Sequence, residues 1–210
     1  MTSLRDAYAA RHREMLQPLA ERLESHLKNT FGSYQRIDRI SVRAKSIDRF
    51  VAKASKQVNG KAKYDDPLNQ IQDQLGARIV TFYKTDVDRL AAEVKKYFRH
   101  IESQLIVPES DSEFGYEGQH FILFIPRDVF DDEIREDESI SFFELQIKTL
   151  FQHAWSEAEH DLGYKPTSEL TNDQKRRVAF TAAQAWGADQ IFDELHRQID
   201  PACSPLSPAH

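Results

Sequence analysis

Apolar residues recur at three- and four-residue steps near the start of the chain, at Leu4, Tyr8, Met15, Leu19, Leu23 and Leu27. This spacing predicts a helix over 3–28. Pro18 lies inside it and is expected to kink or divide it, because proline lacks an N–H and its ring clashes with the preceding turn. At RISVRAK (39–45) the period changes: Ile40, Val42 and Ala44 alternate with Arg39, Ser41, Arg43 and Lys45. That is a strand with one polar face. Ser46 suits the N-cap of a helix over 47–57, and QVNGKAKYDDPLNQ reads as a polar connection. A strand at LGARIVTFY, a helix near 86–98 and a strand near 100–107 follow. PESDSEFGYEG breaks the pattern and reads as a mobile loop.

QHFILFI is apolar through its centre, as an interior strand requires, and PRDVFDDEIREDES is an acidic connector. FFELQIKT (142–149) alternates Phe143, Leu145 and Ile147 against Glu144, Gln146 and Lys148. Thr149 can cap a helix running to about 162, and a last helix over 172–199 carries Val178, Ala182, Ala185, Ala188, Phe192, Leu195 and Ile199 as an inward stripe. Trp155 and Trp186 are expected in the core. The order of elements predicts a single α+β domain, a mixed sheet of about five strands flanked by helices. An N-terminal helical segment (1–35) precedes the main domain (36–199), and a disordered tail (200–210) ends it.

With 210 residues, 40% of them hydrophobic and 30% charged, the chain can build one full core. A net charge of -6 disfavours a general nucleic-acid coat but leaves room for a local basic pocket. The single cysteine, Cys203, rules out a disulfide framework and a cysteine zinc site. Without a bilayer-length apolar run or a signal peptide at the start, a cytoplasmic protein with no membrane association is expected.

The polar faces of the first strand and of FFELQIKT must meet solvent or a shared cleft. Arg43, Lys45, Lys53 and Arg78 supply cations; Asp73 and Glu144 supply carboxylates. Carboxylates hold Mg²⁺, which favours one or two of them plus phosphate oxygens. Arginine and lysine neutralise a phosphate chain, and a carboxylate can accept the proton of an attacking hydroxyl. Taken singly, each of these residues is as well explained as a solvated surface group.

Taken in order, RAKS (43–46), DQLGAR (73–78), GYEGQH (115–120), ELQIKT (144–149) and EHDLGYK (159–165) resemble the successive signatures of the RelA/SpoT-type synthetase domain, over about 36–197. The length is similar to that of the small alarmone synthetases. The resemblance implies the nucleotidyltransferase-like synthetase fold and a (p)ppGpp synthetase (GTP diphosphokinase). Such an enzyme transfers pyrophosphate from ATP to the ribose 3′-hydroxyl of GDP or GTP, with Mg²⁺ as cofactor. It also implies roles by position. Arg43 and Arg78 would sandwich the adenine, and Lys45 and Lys53 would bind phosphates. Asp73 and Glu144 would hold the metal, with Glu144 as candidate base. Tyr116 would stack on the acceptor guanine, and Gln146, Lys148, His153 and His120 lie toward the acceptor. The resemblance further implies a homo-oligomer, since small synthetases of the family often form homotetramers. The chain departs from the family at Glu117 and Gly118, where a basic residue and serine are common. It departs again at Lys148, usually arginine, and at His153, usually Asn or Asp. These changes fall in the acceptor half. They leave open a toxic relative that modifies adenine nucleotides or the tRNA 3′ end, with an antitoxin partner, and also an inactive nucleotide-binding module.

Overall fold

Helix α1 (Leu4–Arg11) and helix α2 (Gln17–Phe31) are joined by a π-helical turn, His12–Leu16, in this computed structural model. The structure describes residues 3–108, 113–115, 118–131, 134–136, 139–164 and 170–200, with side chains described only to 162 in the segment 139–164. Pro18 is the reason for the division. It sits in the first turn of α2, where a missing N–H costs nothing, and the wider turn before it absorbs the ring.

The sheet follows from the alternation. Strands β1 (Ile37–Ala44), β4 (Leu75–Thr81), β5 (His100–Ile106), β6 (Gly118–Phe124) and β7 (Phe142–Thr149) form it in the order β1-β4-β7-β6-β5. Only β4 and β7 run parallel, so the sheet is mixed. One face carries Ile40, Ala77, Ile79, Leu145, Ile147, Phe121 and Leu123, all buried with Leu19, Leu23 and Leu27 of α2 and Leu90 and Val94 of helix α5 (Lys84–Tyr97). A large apolar side chain buried in this way contributes about 1.5–3 kcal/mol. That fixes the register of β7: a slip of one residue would drive Glu144, Gln146 and Lys148 into this layer.

Helix α3 (Ile47–Ala54) follows β1. The segment expected to be a plain polar connection holds a small hairpin instead, β2 (Gln57–Val58) with β3 (Lys61–Ala62). Asn59 and Gly60 at its tip both have positive φ, 52° and 76°. Asn-Gly is the pair that a tight hairpin turn favours, so the signal lay in the sequence unread. A short helix, α4 (Pro67–Gln70), leads into β4.

Helices α6 (Leu150–Tyr164) and α7 (Asn172–Ile199) pack on each other at the end of β7. Thr149 caps α6 as expected, accepting from the Gln152 N–H at 3.1 Å. The inward stripe of α7 is different from the one the apolar spacing suggests. Its buried positions are Ala182, Asp189 and Asp193, whereas Phe192, Leu195, Ile199 and Trp186 are exposed. Trp155 is half-buried, its indole N–H on Thr181. The docking face is polar because it completes other elements. Asp189 accepts from the Thr149 hydroxyl at 2.7 Å, and Asp193 accepts from the Thr85 N–H at 2.8 Å and from the Thr85 hydroxyl. Asp193 thereby caps α5, whose own N-cap, Tyr83, makes no side-chain cap bond. Asp193→Ala is expected to lower stability by about 1–3 kcal/mol, read as a shifted urea midpoint at unchanged slope.

The tail at 201–210 lies outside the described residues, as do parts of the expected mobile loop (109–112 and 116–117). Among the described residues no helix is long and apolar enough to cross a membrane.

Candidate active site

Across the polar face of the sheet, strand register sets the side chains in rows. Arg43 stands beside Gly76, which stands beside Glu144. In the next row Ser41, Arg78, Gln146 and His120 are neighbours on four successive strands. A cavity of about 470 Å³ opens over these rows, lined by Ser41, Arg43, Lys45, Asp73, Arg78, Glu144 and Gln146, with Arg49 of α3 at its side. A Cβ added at Gly76 would meet nothing within 4 Å, so any larger residue there would project into the cavity.

Asp73 lies just before β4. Its Oδ2 accepts from Lys45 Nζ at 2.9 Å and from Lys53 Nζ at 2.8 Å. Burial works to raise its pKa, but the two ammonium groups outweigh this and hold it below the usual carboxylate value. Its other oxygen, Oδ1, is buried with no hydrogen-bond partner. Glu144 shows the same balance. Burial raises its pKa, the hydrogen bond and charge of His120 lower it more, and the carboxyl ends below its usual value. His120 Nδ1 is 2.9 Å from Glu144 Oε1. Asp73 is close enough to disfavour the charge on Glu144, which puts both acids at the same opening.

The remaining expected residues divide. Lys53 reaches the cavity through Asp73, and His120 through Glu144. His153 joins Arg78, its Nδ1 accepting from Nη1 at 3.2 Å. Lys148, on the same face of β7 as Glu144 and Gln146, lies under α6 at 2% exposure, donating to Ser156 Oγ at 3.1 Å. Tyr116 and Glu117 lie outside the described residues. Arg49 was not among the cations singled out in the sequence. A signal for it existed: it sits in the first turn of a helix, where the helix dipole disfavours a cation, and one turn before Lys53.

Burial, and after it the charge of Arg78, pushes the Lys148 ammonium down from 10.5 to about 7. Between these values the unfolded chain holds a proton that the folded chain has released. Stability due to this group is therefore lowest below the folded value and rises as pH climbs toward the unfolded one. Lys148→Met is expected to raise the unfolding free energy at pH 6–7 by on the order of a few kcal/mol, read as a higher urea midpoint, and to flatten the profile toward pH 9. An unchanged profile would show that Lys148 keeps its charge.

The family model described as a region found in RelA / SpoT proteins matches residues 42–169. Among curated proteins, the GTP pyrophosphokinase YjbM of Bacillus subtilis is 25% identical over 146 residues, covering 67% of this chain and 66% of that protein, just under two thirds of its length. The crystal structure of small alarmone synthetase 1 from B. subtilis superposes with a TM-score of 0.72 at 19% identity, covering 93% of this chain and 97% of that one. The same synthetase bound to its product pppGpp gives 0.69 at 19% identity, covering 92% and 97%. The match extends over the five-stranded sheet and its flanking helices.

Proposed function

This chain belongs to the RelA/SpoT family, and from that premise we propose that it is an ATP:GTP/GDP 3′-pyrophosphotransferase that makes pppGpp or ppGpp. The observation that carries the reading is the meeting of Asp73, Glu144 and the cations Arg43, Lys45, Arg49 and Arg78 at one cavity. The pyrophosphokinase name of the curated relative and the product-bound synthetase support the same substrates.

In the proposed reaction the acceptor 3′-oxygen attacks the β-phosphorus of ATP. The new O3′–Pβ bond forms as the bond from Pβ to the α,β-bridging oxygen breaks, and AMP leaves. Glu144 takes the hydroxyl proton, held in place by His120. Lys45 and Lys53 neutralise the transferred phosphates, and Arg43 and Arg78 offer planar guanidinium faces to the adenine. Gln146 faces the acceptor, and the family resemblance assigns Tyr116 to its base. Lys148 supports this side from beneath.

The residues present fit Mg²⁺. The unpartnered Asp73 Oδ1 is an oxygen suited to a hard cation. A site of two carboxylates completed by phosphate oxygens is the kind this ion favours. Asp73 and Glu144 would hold the ion, and when bound it supplies charge neutralisation at the polyphosphate. Self-association into a homotetramer is part of the same proposal, and exposed Phe180, Ile191, Leu195 and Ile199 of α7 offer apolar surface for it.

The deciding experiment offers γ-labelled ATP with GDP, GTP, AMP, ADP, ATP or tRNA in parallel. Label entering a guanine nucleotide is the expected result. Transfer to tRNA or adenine nucleotides alone would replace the acceptor assignment, and binding without any transfer would refute the enzyme reading.

A further inference from the structure

Arg78 leaves β4 pointing toward α6, and its Nη1 meets two partners there. Glu157 Oε1 accepts at 2.7 Å and His153 Nδ1 lies at 3.2 Å. The partners are four residues apart, so they share one face of α6, one turn above the other. An arginine Nη1 can only donate, so His153 Nδ1 must be the unprotonated ring nitrogen. In keeping with this, burial, and after it the Arg78 charge, hold the imidazole pKa below its usual value.

The geometry matters because guanidinium hydrogen bonds lie in the plane of the group. A guanidinium gripped at one nitrogen by two acceptors has its plane fixed and both flat faces left for stacking. Arg78 is the less exposed member of the ion pair, 17% against 49% for Glu157. The acid on the helix therefore meets the arginine at the cavity edge and leaves the interior open.

We propose that Glu157 and His153 are positioning residues that set the plane of the Arg78 guanidinium against the donor base, so that α6 governs donor-base selectivity. This rests on the reading of Arg78 as a contact to the ATP base. It gives α6 a duty that the five sequence signatures do not mark, and it moves His153 from the acceptor side to the donor side.

The test compares the unaltered protein with Glu157→Ala, Glu157→Gln, His153→Ala and Arg78→Ala. Glu157 is half exposed and its substitution removes no core volume, so these variants are expected to fold, as circular dichroism and urea midpoints will show. For each, kcat and KM are measured for ATP, GTP and CTP as donors with one fixed acceptor. Binding of AMP and of inorganic tripolyphosphate is measured separately. Glu157→Ala is expected to raise KM for ATP and weaken AMP about tenfold, more than it lowers kcat, with tripolyphosphate binding unchanged. The preference for ATP over CTP should fall by a similar factor. Glu157→Gln keeps an acceptor oxygen and should recover part of the loss, and His153→Ala should lose less than Glu157→Ala. Unchanged donor kinetics in Glu157→Ala, or an equal loss of AMP and tripolyphosphate, would overturn the proposal. If Arg78→Ala itself binds AMP normally, the assignment of Arg78 to the base fails, and the positioning role fails with it.

Discussion

Glu144→Gln is expected to lower kcat by about 10²–10⁴-fold while changing KM for donor and acceptor only a few-fold. Glutamine keeps the size of the side chain and one oxygen facing His120, so the rows of the sheet floor stay in place. What it removes is the capacity to take a proton and one negative charge at the cavity. The low pKa of Glu144 shapes the expected pH profile. The carboxylate is ionised throughout the neutral range, so the acid limb of kcat should lie below the usual glutamate value. A weakly basic carboxylate suits phosphoryl transfer, in which positioning and charge stabilisation outweigh early proton removal. Near-native turnover by Glu144→Gln would leave the proposed base without a role.

Asp73→Asn should separate binding from turnover. In the protein as it stands, Lys45 and Lys53 share one oxygen of Asp73. Removing that charge frees two ammonium groups for phosphate, so α,β-methylene ATP should bind more tightly in the absence of Mg²⁺. Turnover should nevertheless fall by about 10²–10³-fold, because the negative charge that would hold the cation is lost. Calorimetry with chelator present reads the first effect and initial rates read the second. Weaker metal-free binding with near-native turnover would contradict both parts.

Much of this site was legible because a strand's period is two. Once β1 and β7 are recognised as strands, Ser41 and Arg43 must share a face, and so must Glu144 and Gln146. That these faces adjoin could not be read locally. It depends on β4 pairing antiparallel to β1 and parallel to β7, a long-range choice. The failures have physical causes too. Helix α7 has apolar residues nearly all round, so its spacing allowed several stripes, and the docking face was chosen by Asp189 and Asp193 bonding to Thr149 and Thr85. Those partners lie 40 and 108 positions away in the sequence. Glu157 escaped notice for the same reason, because nothing near it in sequence marks it as the partner of Arg78.

The grip of α1 on the donor side has a practical consequence. Tyr8 stacks on Phe50 with ring centres 3.6 Å apart, and its hydroxyl donates to the Lys45 carbonyl at 2.8 Å. Arg11 donates to the Leu68 carbonyl at 2.6 Å and reaches Gln74. These contacts brace the chain on both sides of the lysine–aspartate cluster, from a helix that precedes the segment shared with the family. Expression of residues 42–169 alone would strip Leu19, Leu23, Leu27 and Phe31 from the core and leave Lys45 and Asp73 on slack backbone. Anyone trimming this protein for crystallisation or fusing a partner to its amino end should keep the opening helix whole.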